Sequence, residues 1–452
     1  MSAQVREAAV TTEWGVEPIP SERRPLAGAE VFVLWFNLGV SLLLLVAGAL
    51  LVPGLGLRDA LLATAVGVVV GNLLLGVAAW IGAEVGAPSM VLLRAPLGIR
   101  GSVVPTALNV LQNVGWGAFE ILIIATSADA ITRRLVGSSN YVAWVAVFGL
   151  FTTLMAIGGP IVVVRRWLRR YALWFVLAST VYLTWYVLTR LDLAALWNRP
   201  GTGELSFWLG VDLVVAMPVS WIPLAADYTR FAVRPHAAFW GTAAGYALSN
   251  FWFYALGVLF MLALRAEDLV AAVLAIPAGA VALAILLADE TDEAFANIYS
   301  TSVSLQNLWP RADRKQLAVA SGAVCSVLAA TVPLTQYESF LFLIGAFFVP
   351  LFGVLAADYF AVRRRQLDPE ELYGPGARPV RWKGFAPWLV GFFVYQWIVP
   401  TDIPGWKEML AALFGSVGLP FPLSAHVPWL GGSLPSLAAS FVLYTLLAGR
   451  RR

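Results

Sequence analysis

Residues Pro277–Asn307 read PAGAVALAILLADETDEAFANIYSTSVSLQN. Twelve small or apolar residues lead into Asp289, Glu290, Thr291, Asp292 and Glu293, and the apolar character then resumes with no Lys or Arg to offset four carboxylates. A helix that starts near Pro277 places Asp289 about 18 Å along its axis at ~1.5 Å per residue. That is close to the midplane of a hydrocarbon layer ~30 Å thick. Ionisable side chains at such depth are costly, face a cavity or a partner, and mark ion or substrate paths. A helix that starts later would instead leave the acids in an interfacial mouth, so the surrounding chain decides between the two.

Composition sets the class. The chain of 452 residues is 60% hydrophobic and only 13% charged, with a mean hydropathy of +0.77, whereas soluble domains carry about 25% charged residues. Apolar runs long enough to span a bilayer recur between short polar breaks. They lie near residues 29–52, 59–83, 102–128, 140–162, 170–189, 207–229, 237–263, 277–305, 316–332, 336–361, 385–400 and 428–448. The reading is an all-α polytopic membrane protein of about twelve transmembrane helices. The Pro-interrupted stretch 405–424 is an alternative span, and 88–101, short and carrying Arg94 and Arg100, reads as interfacial.

With the N-terminus inside, 23 of the 30 Lys and Arg fall on the cytoplasmic side, so the positive-inside rule puts both termini in the cytoplasm of a cell bounded by this inner (plasma) membrane. Residues 1–28 lack an apolar h-region and read as a cytoplasmic tail. The sequence RRRQLDPEELYGPGARPVRWK at Arg363–Lys383 reads as a loosely structured cytoplasmic connection. Its basic residues suit lipid headgroups better than nucleic acid. Cys325 stands alone in apolar surroundings and reads as a packed thiol. The two histidines are too few for a haem or zinc site, and no Gly-rich phosphate loop occurs. The chain therefore does membrane work without a nucleotide engine or a redox cofactor.

Two spans carry helix breakers in corresponding places. The first contains Trp35-Phe36-Asn37-Leu38-Gly39-Val40-Ser41, and the sixth contains Met217-Pro218-Val219-Ser220-Trp221-Ile222-Pro223. Each proline removes a backbone donor and disfavours helix in the residue before it. Breaks five spans apart are what a transporter built from two inverted five-helix repeats requires, although small-residue packing and a plain proline kink explain the same residues. The third span adds Asn109, Gln112, Asn113, Trp116 and Glu120 at spacings of three and four, which share one helical face. An indole beside amides and a carboxylate suits a flat heteroaromatic ligand, read by hydrogen bonds along its edge. Asn37 and Ser220, at the two breaks, join them as candidate ligand contacts.

The run GNLLLGVAAWIGAEVGAPSMVLLRAPLGIRGS at Gly71–Ser102, NVGW at Asn113–Trp116 and ADYTRF at Ala226–Phe231 closely resemble the nucleobase:cation symporter-1 family of cytosine, purine and hydantoin permeases. AMPVSWIPLAADYTRF and ADETDEAFANIYS look most like its branch proposed to carry hydroxymethylpyrimidine. The resemblance implies a LeuT-type fold with a 5+5 inverted repeat, broken helices 1 and 6, and alternating access. Its ten-helix core would be residues 29–361, with repeats at about 29–190 and 207–361, a cytoplasmic loop at 362–384, and two additional helices and a tail at 385–452. It further implies a base stacked between a Trp of span three and an aromatic of span six, and sodium between spans one and eight.

Carried over by position, Trp116 matches the stacking Trp, while Asn113, Glu120 and Asn297 fall where the family places amide contacts to the ligand. Pro218 occupies the usual aromatic position of span six, so Trp221, one turn on, is the candidate second face. Gly39 and Leu42 match the two carbonyl donors to sodium. The span-eight pattern can be laid on Ala288, Thr291 and Asp292, or on Asp289, Asp292 and Glu293. A carboxylate there suits Na+ and equally suits a proton. The expectation is a monomeric symporter, not an enzyme, importing a nucleobase or related pyrimidine with Na+ or H+ and using no cofactor. Glu120 would favour an aminopyrimidine by accepting from its exocyclic amine. An intramembrane hydrolase using Asp289 and Asp292, or a channel, are the other classes the residues admit.

Overall fold

The computed structural model describes residues 17–158, 173–264, 268–309, 311–367, 369–374 and 378–449. All twelve apolar stretches contain helix. The first span is two helices, α1 (Gly28–Leu38) and α2 (Leu42–Ala49), bent by 62° at their junction. Ser41 makes the break: its backbone is extended and its side chain accepts from the Leu43 N–H as an N-cap. Gly39 permits it, because a Cβ there would lie 2.0 Å from Ser249 Oγ.

Four helices follow: α3 (Leu57–Val85), α4 (Val103–Val136), α5 (Tyr141–Gly158) and α6 (Leu173–Arg190). The sixth span is α7 (Phe207–Ser220) and α8 (Ile222–Thr229), interrupted at Trp221. Here the break is milder than the paired prolines predict: the two halves run on as one span of 23 residues, and α1–α2 is the one pair among the described residues bent beyond 40°. Pro223 sits in the first turn of α8, where a missing N–H costs no intrahelical bond.

The core closes with α9 (Pro235–Leu264), α10 (Gly279–Leu308), α11 (Arg314–Thr331) and α12 (Tyr337–Ala356). Among the described residues five helices, six with the bent pair, are long and apolar enough to cross a bilayer alone. The acid-bearing stretch lies on one continuous helix: α10 spans 30 residues, and Asp289 lies about 15 Å along it.

Two additional helices, α13 (Trp382–Ile398) and a later one, flank α12, with the short α14 (Trp406–Ser416) between them. At eleven residues α14 reaches about 16 Å, half a hydrocarbon layer, so 405–424 does not supply a span. The last helix, α15 (Ser433–Ala448), is capped from the core: the buried Asp212 carboxylate of α7 accepts from the N–H groups of Gly432 at 2.5 Å and Ser433 at 2.9 Å.

The helices fall into two groups. α1, α2, α3, α7, α8 and α9 pack on one another, and α4, α5, α10 and α11 pack on one another. Within the first group backbones touch through glycine. A Cβ at Gly257 of α9 would lie 2.0 Å from the Leu45 carbonyl oxygen of α2, the close approach that small residues allow between membrane helices. Between the groups, contact runs mainly from α2 to α4 and α10.

Two polar segments are more ordered than their composition predicts. Residues 88–101 form two one-turn helices, Ser89–Leu92 and Arg94–Leu97, folded into the protein. Ser89 Oγ accepts from the Ala226 N–H at 2.9 Å, and the Ser89 N–H donates to Asp227 Oδ1 at 2.9 Å. The APSM and ADYTRF motifs thus cap each other. The connection Arg363–Lys383, expected to be loose, is tied down in its described part: Arg363 pairs with Asp358 at 2.5 Å and Glu371 at 2.9 Å, and the Arg100 N–H donates to the Pro379 carbonyl at 2.7 Å. The N-terminal segment is likewise attached from Glu17 onward, with Ile19 buried and Leu26 bridged to Ala232. Residues 1–16 of the expected tail, 159–172 with four of the basic residues used for orientation, and Arg450–Arg452 lie outside the described residues.

Candidate functional site

The polar stripe of α4 is buried along its whole length. Asn109, Gln112, Asn113, Trp116 and Glu120 are all buried, while Leu111 on the opposite face is 65% exposed. The stripe opens onto a chamber of about 430 Å³, mouth included, at the junction of α1 with α2 and of α7 with α8. Six of the seven predicted ligand contacts line it: Asn113, Trp116, Glu120, Ser220, Trp221 and Asn297. Asn37 does not. It is exposed near the end of α1, and Leu38 lines the chamber in its place.

Each wall has a reason for its position. Trp116 is held edge-on by Phe340 at 5.2 Å and Tyr337 at 6.0 Å between ring centroids, leaving the indole as a flat wall. Trp221 donates its Nε1–H to Tyr246 Oη at 3.0 Å and meets Trp35 edge-to-face at 5.8 Å. The interruption of span six gives a carbonyl to the chamber. Leu224 N–H bonds Trp221 O at 2.9 Å instead of continuing the helical ladder to Ser220, and Gln112 Nε2 donates to the freed Ser220 O at 2.8 Å.

Glu120 and Asn297 form a fork. Asn297 Nδ2 donates to both carboxylate oxygens of Glu120 at 3.0 Å and to the Glu293 carbonyl at 3.2 Å. Three acceptors on the nitrogen define the orientation of the amide, so Oδ1 is the end left for another donor. Asn113 has the opposite condition: both Nδ2 and Oδ1 are buried and without a partner, as is Gln112 Oε1. Buried polar groups are nearly always satisfied, so these three unpartnered atoms on residues that line the chamber are candidate ligand contacts.

Among the predicted cation ligands, Gly39 and Leu42 are buried at the break and Thr291 is buried on α10, whereas Ala288 is exposed. Thr291 Oγ1 donates to Ala288 O at 2.7 Å, which leaves the hydroxyl lone pairs free. Asp292 Oδ1 is a buried oxygen with no partner, the donor type a hard cation takes. Of the alternative frame, Glu293 lines the chamber and Asp289 is half-buried. Among the described residues no three His, Cys, Asp or Glu side chains are grouped to hold a metal ion. A cation here would therefore rest on backbone carbonyls with Thr291 and a single carboxylate, a donor set that fits sodium.

The direct link between spans one and eight is made by a residue the sequence reading did not single out. Glu290 is 1% exposed and accepts from the Leu42 N–H at 2.7 Å, Ser41 Oγ at 3.0 Å and the Leu43 N–H at 3.3 Å. Leu42 thus contributes its N–H to an acid of α10. The available signal was spacing: Glu290, Glu293 and Asn297 stand three and four apart and share a face, and a half-helix beginning after Ser41 offers free amides to a carboxylate.

A family model described as "Permease for cytosine/purines, uracil, thiamine, allantoin" matches residues 18–411. The chain belongs to this permease family. Similar relatives of the permease include a hydantoin permease of Microbacterium maritypicum, 24% identical with 96% of this chain and 92% of that protein covered. A cytosine permease of Escherichia coli strain K12 is 26% identical, covering 88% and 91%. Among solved structures, the inward-facing conformation of Mhp1 superposes with a TM-score of 0.78 at 21% identity, over 95% of this chain and 92% of that one. Mhp1 in a closed conformation with bromovinylhydantoin bound gives 0.74 at 20% identity, over 96% and 94%. At that identity the likeness carries the fold, which is the LeuT-type architecture. The permease is an integral membrane transporter and not an enzyme, so the paired acids of α10 are not a hydrolytic dyad.

Proposed function

We propose that this permease is a secondary symporter that takes up a nucleobase-like ring together with Na+, or H+ in its place, by alternating access. The observation that carries the reading is Asn113, whose buried amide has an unpaired donor beside an unpaired acceptor. A lactam or amidine edge presents the complementary pair, and satisfying such a group recovers about 1–3 kcal/mol. Trp116 and Trp221 supply flat walls for the ring. Asn297 Oδ1, aimed by Glu120, takes a ring N–H, and the remaining lone pairs of Glu120 accept an exocyclic amine. That favours cytosine or hydroxymethylpyrimidine over uracil or hydantoin. The relatives, a hydantoin permease and a cytosine permease, are named for flat, amide-edged solutes of the same kind.

Gly39, Leu42, Thr291 and Asp292 would receive the co-transported cation. Each ligand binding raises affinity for the other by the same factor if both favour one conformation. The permease works in this reading as a monomer in the plasma membrane, with both termini cytoplasmic. The test is uptake of radiolabelled cytosine, hypoxanthine and hydroxymethylpyrimidine into proteoliposomes under separately imposed sodium and proton gradients. Saturable accumulation above the equilibrium level is expected under one of them. Equilibration without accumulation under both gradients overturns the symport reading and leaves a channel.

A further inference from the structure

We propose that Glu290 and Gln112 are matched latches, each holding the break of one span against the opposite helix group, and that the transport cycle releases and remakes them. Glu290 of α10 bonds the N-terminus of α2 through Ser41, Leu42 and Leu43 at 2.7–3.3 Å. Gln112 of α4 bonds the Ser220 carbonyl, where α7 gives way to α8, at 2.8 Å. α4 and α10 belong to one packed group, α2 and α7 to the other. In a five-plus-five order, span one corresponds to span six and span three to span eight. The two links therefore occupy equivalent places in the two halves.

Helix packing makes each group internally stiff, through backbone approaches such as Gly257 against Leu45. The direct contact between groups is sparse by comparison and runs mainly through α2. Relative motion of the groups must break or carry these two side-chain links, since each ends on backbone at a helix break that cannot follow its partner without unwinding. The links differ in extent: Glu290 makes three hydrogen bonds and Gln112 one to the opposite group. Ser41, Gln112 and Ser220 all line the chamber, so an occupant lies against both latches at once. The inference rests on the transport reading only in requiring that the groups move; it does not depend on which ring or cation is carried.

The test uses the full chain in lipid nanodiscs with Cys325→Ala. Spin labels stand at Asp59 near the start of α3 and Ser138 just after α4, exposed positions on the two groups. Glu290→Gln removes one acceptor oxygen and Gln112→Leu removes the other link. In variants that remain monodisperse, the ratio of the two inter-group distance populations is expected to shift about tenfold for Glu290→Gln and less for Gln112→Leu, in proportion to the bonds lost. Ser41→Ala, which deletes one bond from the α2 side, is expected to shift it in the same direction by a smaller factor and carries the test if Glu290→Gln does not fold. Distance distributions that superimpose on the unmodified protein while thermal stability alone falls would show the links to be plain helix caps and overturn the proposal. Because no substrate is added, failure here is distinct from failure of the uptake experiment.

Discussion

A buried carboxamide with neither donor nor acceptor engaged, as at Asn113, costs about 1–3 kcal/mol while it stays empty-handed. Asn113→Leu is of similar volume and removes that cost. The substituted protein is expected to unfold at a higher temperature without ligand and to lose the stabilisation that a nucleobase confers, both read in one thermal-shift titration; an Asn113 that is merely structural would give lower stability instead. Glu120 supplies the second residue-scale prediction. Glu120→Gln keeps shape but substitutes a donor for one acceptor, so the preference for aminopyrimidines over uracil in a competition panel should fall about tenfold, the worth of one hydrogen bond. An unchanged ranking would remove Glu120 from recognition. These residues were legible in the sequence because a helix repeats every three to four positions, and α4 buries that stripe intact. Asn37 shows the converse: it is exposed near the end of α1, where a polar residue beside a break has too few periodic neighbours to say which way it faces. Glu290 was hidden by a different cause, since its partners are backbone amides 247–249 positions away that exist only because span one breaks.

At the scale of elements, the sequence signals for breakage differed in outcome. Gly39 and Ser41 produce a 62° bend, because an extended capped residue cannot continue a helix. Pro218 and Pro223 only interrupt span six at Trp221, because Pro223 falls in the first turn of the following helix, where its lost donor is harmless. The half-helix α2 is positioned mainly by α9, and the tightest approach is Gly257 beside the Leu45 carbonyl. Gly257→Ala would place a methyl carbon 2.0 Å from that oxygen, which forces the backbones apart. A loss of about 1–3 kcal/mol is expected for such overpacking, measured as a lower unfolding temperature in detergent. Uptake should fall further than stability, since displacing α2 also displaces Ser41 from the chamber wall.

Over the whole molecule, the appended helices are attached by chemistry the sequence did not advertise. Asp212 reaches from α7 to cap α15 through Gly432 and Ser433, a pairing across 220 positions that no local pattern reveals. Asp212→Asn retains one acceptor and should cost about 1–2 kcal/mol, seen as faster proteolytic cleavage between residues 400 and 432 with the core still folded. The all-helical fold and the place of the chamber beside the two interrupted spans were readable, by contrast, because hydrophobic length and helix breakers are local signals. The chamber itself has one more consequence. Its walls carry the acidic side chains of Glu120 and Glu293 and, among the described lining residues, no Arg, Lys or His. A solute bearing a carboxylate or phosphate would shed its hydration and meet no cationic side chain on the wall, a penalty of several kcal/mol. A carboxylated pyrimidine is therefore expected to compete more weakly than its neutral parent in the uptake assay, a selection by charge laid over any selection by shape.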